Sequence, residues 1–165
     1  MKSDRGNTLI ELIMVMLLLI LFGVVISTLI YSGGETQKKI ISEKNSQIDA
    51  RVAVSYLNMR IRQSDAADTV FIEKNEATGE NSIVIKERFD WGGYDTWIFW
   101  ADGTIYECLV NPGNQPSVGL SERVAKVDKF ETGYDDTGAI VNVIYYTVNG
   151  AGKELRSSVY LRSGR

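Results

Sequence analysis

Gly6-Asn7-Thr8-Leu9-Ile10-Glu11 runs directly into Leu12-Ile13-Met14-Val15-Met16-Leu17-Leu18-Leu19-Ile20-Leu21-Phe22-Gly23-Val24-Val25-Ile26-Ser27-Thr28-Leu29-Ile30. This stretch decides the fold. No Asp, Glu, Lys or Arg occurs between Leu12 and Gly34. As a helix rising ~1.5 Å per residue, Leu12–Ile30 spans roughly 28 Å, close to the hydrocarbon thickness of a bilayer. It is too long for the apolar core of a cleaved secretory signal. Lys2 and Arg5 precede it. The positive-inside rule therefore places the N-terminus in the cytoplasm and the remainder of the chain outside.

Working outward, the rest of the 165 residues is more polar than the 44% apolar average suggests. Net charge is −3, which disfavours a phosphate-backbone binder. There is no histidine, which removes the commonest general base and metal ligand. A lone cysteine, Cys108, excludes an intrachain disulfide framework and a Cys-rich zinc site. No nucleophile–base constellation is visible, so the expectation is a protein without catalytic activity and without a cofactor or metal.

Glu11 stands out at the start of an apolar helix, where a carboxylate costs up to roughly 2–3 kcal/mol at mid-bilayer and less at the interface. By position alone it has two readings. It sits at headgroup level and favours the first helical turn, or its charge awaits a cationic partner in an assembly.

Here the residues carry a resemblance. A short basic leader, Gly6, Thr8-Leu9-Ile10-Glu11-Leu12 and a long apolar helix resemble the class III signal of type IV prepilins and pseudopilins. The resemblance covers about the first 30 residues. It implies cleavage by the prepilin peptidase between Gly6 and Asn7, N-methylation of Asn7, and an assembly role for Glu11. A glycine at the cut lets the backbone approach a protease closely. The new amine could neutralise Glu11 of a neighbouring subunit, where an unpaired carboxylate would be costly. Asn7 departs from the family's usual phenylalanine. No proline interrupts Leu12–Ile30, which leans toward a minor pilin or pseudopilin.

The implied fold class is α+β, a type IV pilin-like lollipop whose long N-terminal helix has a transmembrane first half and packs on an antiparallel β-sheet. The implied parts are a leader over 1–6, a transmembrane or filament-core helix over 7–31, a Gly break with an amphipathic helix over 32–64, and a β-rich extracytoplasmic domain over 65–165. The implied role is a structural subunit of a type IV pilus, a competence pilus or a type II secretion pseudopilus. Implied partners are the prepilin peptidase, sibling subunits, the inner-membrane platform protein, the assembly ATPase and the membrane. Nucleic acid is disfavoured and enters only if the filament is a competence pilus. The rival reading is a monomeric, signal-anchored extracytoplasmic binding domain.

Ser32-Gly33-Gly34 reads either as a linker ending the membrane helix or as a soft point within one helix. From Glu35 to Ser64 the pattern is helical. Ile41, Ile48, Val52 and Met59 form one stripe, and Ala50, Val54, Leu57 and Ile61 a second. Both are expected to merge into a wide core-facing surface. Arg51, Arg60 and Arg62 are expected to pair locally with Asp49, Asp65 and Asp68 rather than bind phosphate.

Expected strands are Val70–Glu73, Ser82–Lys86, Thr96–Trp100, Thr104–Val110, Val124–Tyr134, Ile140–Val148 and Glu154–Arg162. Asp102-Gly103 and Asn149-Gly150 mark hairpins. Trp97, Phe99, Trp100 and Tyr106 read as core, while Trp91 and Tyr94 are the aromatics expected in an exposed loop at Gly92-Gly93. Asp135-Asp136 reads as a solvated turn. Gly150-Ala151-Gly152-Lys153 lacks the second half of a phosphate loop and is rejected as one.

Overall fold

A computed structural model describes residues 5–66, 68–90 and 92–162, the side chains of 5–9, 33–40 and 42 excepted. Helix α1 runs from Arg5 to Gln63, and helical hydrogen bonding continues through Gly33-Gly34. The chain divides into two compact units, Met1–Ser42 and Glu43–Arg165.

In the first unit, the 23 residues Ile10–Ser32 are long and apolar enough to cross a membrane, and none is buried. Two of its hydroxyl side chains bond back to the helix itself. Ser27 Oγ donates to Gly23 O at 2.8 Å, and Thr28 Oγ1 to Val24 O at 2.8 Å. Such back-bonding to the preceding turn satisfies polar groups where lipid offers no partners.

The second unit is α+β, as expected. Strands β1 (Val70–Lys74), β2 (Asn81–Phe89), β3 (Gly92–Ala101), β4 (Thr104–Val110) and β5 (Glu122–Lys126) form an antiparallel meander. Strands β6 (Lys129–Tyr134), β7 (Ile140–Val148) and β8 (Ala151–Val159) form a second one. The helix end lies over both. Ala50, Ala53, Leu57 and Ile61 are fully buried and share one core with Ile83, Ile85, Ile98 and Ile105 of the first sheet and with Phe130, Ile140 and Ile144 of the second.

The single strand expected over Val124–Tyr134 is two strands in different sheets. The reason lies in two consecutive amides. Val127 N donates to Gly103 O at 3.0 Å, whereas Asp128 N donates to Tyr145 O at 2.9 Å. The chain therefore leaves one ladder and joins the other within a single residue step. Cross-links hold the sheets together: Asn81 Nδ2 donates to Thr132 O at 3.2 Å, and Ile72 N to the Tyr134 hydroxyl at 3.1 Å.

Both hairpin signals hold. Asp102 and Gly103 (φ 46° and 76°) and Asn149 and Gly150 (φ 55° and 72°) are paired left-handed residues. That is the type I′ geometry whose twist matches the flanking strands. The last strand begins and ends earlier than expected, but its alternation stands: Leu155, Val159 and Leu161 turn toward the core, and Arg156, Tyr160 and Arg162 are exposed.

The face of the first sheet away from the helix has its own core of Val84, Trp97, Phe99, Ala101 and Cys108. The loop after β4 covers it. Gly113 N donates to the buried Asp95 Oδ2 at 2.9 Å, and Arg88 pairs with Asp95 at 2.7 Å. Of the aromatics expected in the core, Trp97 and Phe99 lie in it, whereas Trp100 and Tyr106 are half-buried at the edges of the two cores; the lone Cys108 is buried.

Gly92-Gly93 is not a loop. It opens β3, so Tyr94 is a half-buried strand residue, against expectation; Trp91 lies outside the described residues. A Cβ at Gly93 would stand 2.2 Å from the Glu87 carbonyl oxygen, too close for any real contact. Gly93→Ala should therefore push β2 and β3 apart at this pair. A loss of about 1–3 kcal/mol is expected in denaturant melts of the detergent-solubilised chain, and an unchanged midpoint would refute the close approach.

Candidate functional site: the N-terminal helix and its outward face

The residues singled out by sequence fall at the start of α1. Gly6 and Asn7 are helical in backbone, with side chains outside the described ones; Met1–Asp4 lie outside the described residues altogether. Glu11 is exposed on the helix. Among the described residues, no hydrogen-bonding or ionic partner approaches it. Asn7 and Glu11 are four apart, the spacing that puts two residues on one helix face.

Further along, the helix end is fixed on the sheets by polar contacts on either flank of its apolar face. On one flank Tyr56 and Arg60 both reach Glu107 of β4, the phenol and the guanidinium each donating to the carboxylate. On the other, Ser157 Oγ of β8 donates to Asn58 Oδ1 at 3.0 Å. Burial raises the Tyr56 hydroxyl well above the usual phenol range, and the hydrogen bond to Glu107 and its charge add to this. Burial opposes the Arg60 charge, but Glu107 more than offsets it.

A phenol whose folded-state pKa is raised stabilises the fold fully below its ordinary value of about 10. That contribution is lost as pH climbs above it, because the unfolded chain ionises first. Stability should thus fall above about pH 10, and Tyr56→Phe should flatten part of that fall. Tyr94, raised chiefly by its hydrogen bond to Glu87, and Tyr145, raised chiefly by Glu131, leave a residual slope. Denaturant midpoints from neutral to alkaline pH check this, and equal slopes in the variant and the wild type would refute it.

Arg60 was expected to pair with a nearby aspartate, yet its partner is 47 residues away in sequence. Asp65 instead accepts from the Arg162 backbone amide at 2.9 and 2.8 Å. A depression of ≈ 460 Å³ there is lined by Arg62, Asp65, Ser158, Val159, Tyr160 and Arg162. The carboxylate between the two arginines works against anion binding. Asp135 closes a turn on itself, accepting from Thr137 N and Ala139 N at 2.9 Å each. Gly150–Lys153 belongs to the β7–β8 hairpin. Among the described residues, no three His, Cys, Asp or Glu side chains gather as metal ligands.

The stripe Ile41, Ile48, Val52 and Met59 corrects the sequence reading. It does not merge with the core face. Ile48, Val52 and Met59 are each 46% exposed, while Leu57 and Ile61 are fully buried. Two residues along a helix turn through about 200°, so Val52 points away from the sheets because Ala50 points into them. Ile41, in the first unit, is exposed as well. The helix end is therefore apolar on two opposite sides, and its outer side forms a depression of ≈ 410 Å³ lined by Ile48, Arg51, Val52, Ser55, Tyr56 and Met59. Sequence periodicity found both stripes, but it could not show which of them the sheets cover.

No curated protein and no solved structure matches the chain. Residues 48–145, more than half of it, match the family described as Domain of unknown function (DUF4860), and the chain belongs to that family.

Proposed function

We propose that this protein is a prepilin-like structural subunit, a minor pilin or pseudopilin, of a type IV pilus, a competence pilus or a type II secretion pseudopilus. The observation that carries the reading is Gly6-Asn7-Thr8-Leu9-Ile10-Glu11 leading into a helix long and apolar enough to span a membrane. An α+β unit beginning within the same helix fits a subunit that displays a folded domain outside the membrane. In this reading the leader stays in the cytoplasm, the prepilin peptidase cuts between Gly6 and Asn7, and the new amine is methylated. The platform protein and the assembly ATPase then move the subunit from the inner membrane into the filament. The protein is a substrate of that machinery and catalyses nothing itself.

The intact mass of the membrane-extracted chain tests the reading. In cells containing the peptidase, Met1–Gly6 should be gone, and Gly6→Val should restore the full-length mass by crowding the scissile bond. Full-length wild-type protein from such cells would overturn the proposal in favour of a monomeric, signal-anchored binding domain.

A further inference from the structure

The outer side of the helix end carries more than apolar area. Asn45, Ile48, Val52, Ser55 and Met59 are all exposed. Their successive spacings of three, four, three and four are those of the a and d positions of a coiled coil. Asn45, Val52 and Met59 then occupy a, and Ile48 and Ser55 occupy d. The flanking positions follow from this frame. Lys44 and Arg51 fall at g, and Asp49 and Tyr56 at e. In a parallel, in-register pair, each g residue meets the e residue five positions on in the other helix. Lys44 thus meets Asp49 of a second copy, and Arg51 meets the Tyr56 ring. Among the described residues, no ion pair within the chain engages Lys44, Asp49 or Arg51. An antiparallel pair would instead bring g against g, setting Lys44 and Arg51 of one copy against those of the other.

Three features agree on the occupant. The charge pattern is complementary to itself only in the parallel arrangement. An Asn at a single a position favours one register. The apolar span Ile10–Ser32 would tether two copies in one membrane with the same polarity. A seam of about four helical turns is too short to hold two soluble chains together firmly. Tethering in one bilayer raises the effective concentration and removes most of that difficulty. We infer that this face binds a second copy of the chain as a parallel, in-register helix pair formed in the membrane. The inference does not depend on filament assembly.

The test uses the full-length chain in membranes, under mild oxidation. The lone native Cys108 is buried and provides the background. Ser55→Cys places a thiol at d, where the two copies face each other, and should give a disulfide-linked dimer. Glu154→Cys, exposed on β8, should not. Adding Val52→Lys to Ser55→Cys should lower the crosslinked fraction by at least about tenfold, equivalent to 1.4 kcal/mol of pairing. Because Val52 is exposed, the fold itself should survive. Lys44→Glu should weaken the crosslink, and adding Asp49→Lys to it should restore it. A Ser55→Cys crosslink no stronger than that of Glu154→Cys would overturn the inference, and this is what a staggered helical array would give. So would a dimer indifferent to Val52→Lys and Lys44→Glu.

Discussion

A chain shortened to begin at Gln63 is expected to aggregate, whereas one beginning at Glu43 folds and remains soluble. The two differ only in the helix end that lies over the sheets. Starting at Glu43 removes the exposed apolar span and keeps the whole second compact unit. The remaining residues can bury a core of their own without disulfides. Starting at Gln63 also removes Ala50, Ala53, Leu57 and Ile61, all fully buried, together with the Tyr56 and Arg60 contacts to Glu107. Truncating a buried Leu or Ile to Ala costs about 2–5 kcal/mol each. Two such losses with the two alanines and a broken ion pair approach the whole stability of a domain, about 5–15 kcal/mol. The shorter chain would also leave Ile83, Ile98, Ile105 and Ile144 facing water, a continuous apolar surface that drives association. Size exclusion and a cooperative denaturant transition distinguish the outcomes. A monomeric, cooperatively folded Gln63 chain would mean that the sheets do not need the helix.

Leu57→Ala in the full chain grades the same contact. A loss of about 2–5 kcal/mol is expected, against little change for Val52→Ala on the outer face. The two residues are five apart in one amphipathic pattern, and only their direction relative to the sheets separates them.

That difference shows where sequence reading succeeds and where it stops. Local signals were legible. The apolar run announces the membrane helix, Asp102-Gly103 and Asn149-Gly150 announce tight hairpins, and the alternation around Val159 announces a strand covered on one side. What depends on the partner was not. A second apolar stripe at helical spacing looks the same whether the sheets cover it or leave it open. The division of Val124–Tyr134 between two sheets turns on where two backbone amides point, which no side-chain pattern encodes. Glu107 was silent for the same reason. A lone acid in a strand announces nothing until the fold brings Tyr56 and Arg60 to it. At the N-terminus the position is reversed. The motif at Gly6–Glu11 is the strongest signal in the chain, yet among the described residues no charge meets Glu11.

On the proposed filament reading, Glu11→Gln is expected to leave insertion and cleavage unchanged and to reduce incorporation into filaments sharply. If Glu11 were only a marker of the membrane interface, the substitution would matter little, since a neutral amide is easier to place there than a carboxylate. In the assembled state the comparison changes. Cleavage after Gly6 would leave a positive amine on Asn7, and methylation retains that charge. Among apolar helices packed without water, the amine and the carboxylate of a neighbouring subunit each need the other. Removing one member of such a buried pair costs roughly 3–5 kcal/mol, far more than the 0–1 kcal/mol of an exposed pair. An equilibrium governed by that cost shifts by about two orders of magnitude or more. The measurement is the ratio of mutant chain in sheared filaments to that in membranes, compared with wild type. Normal incorporation of Glu11→Gln would leave Glu11 as an ordinary interfacial residue and return the protein to the anchored-monomer reading.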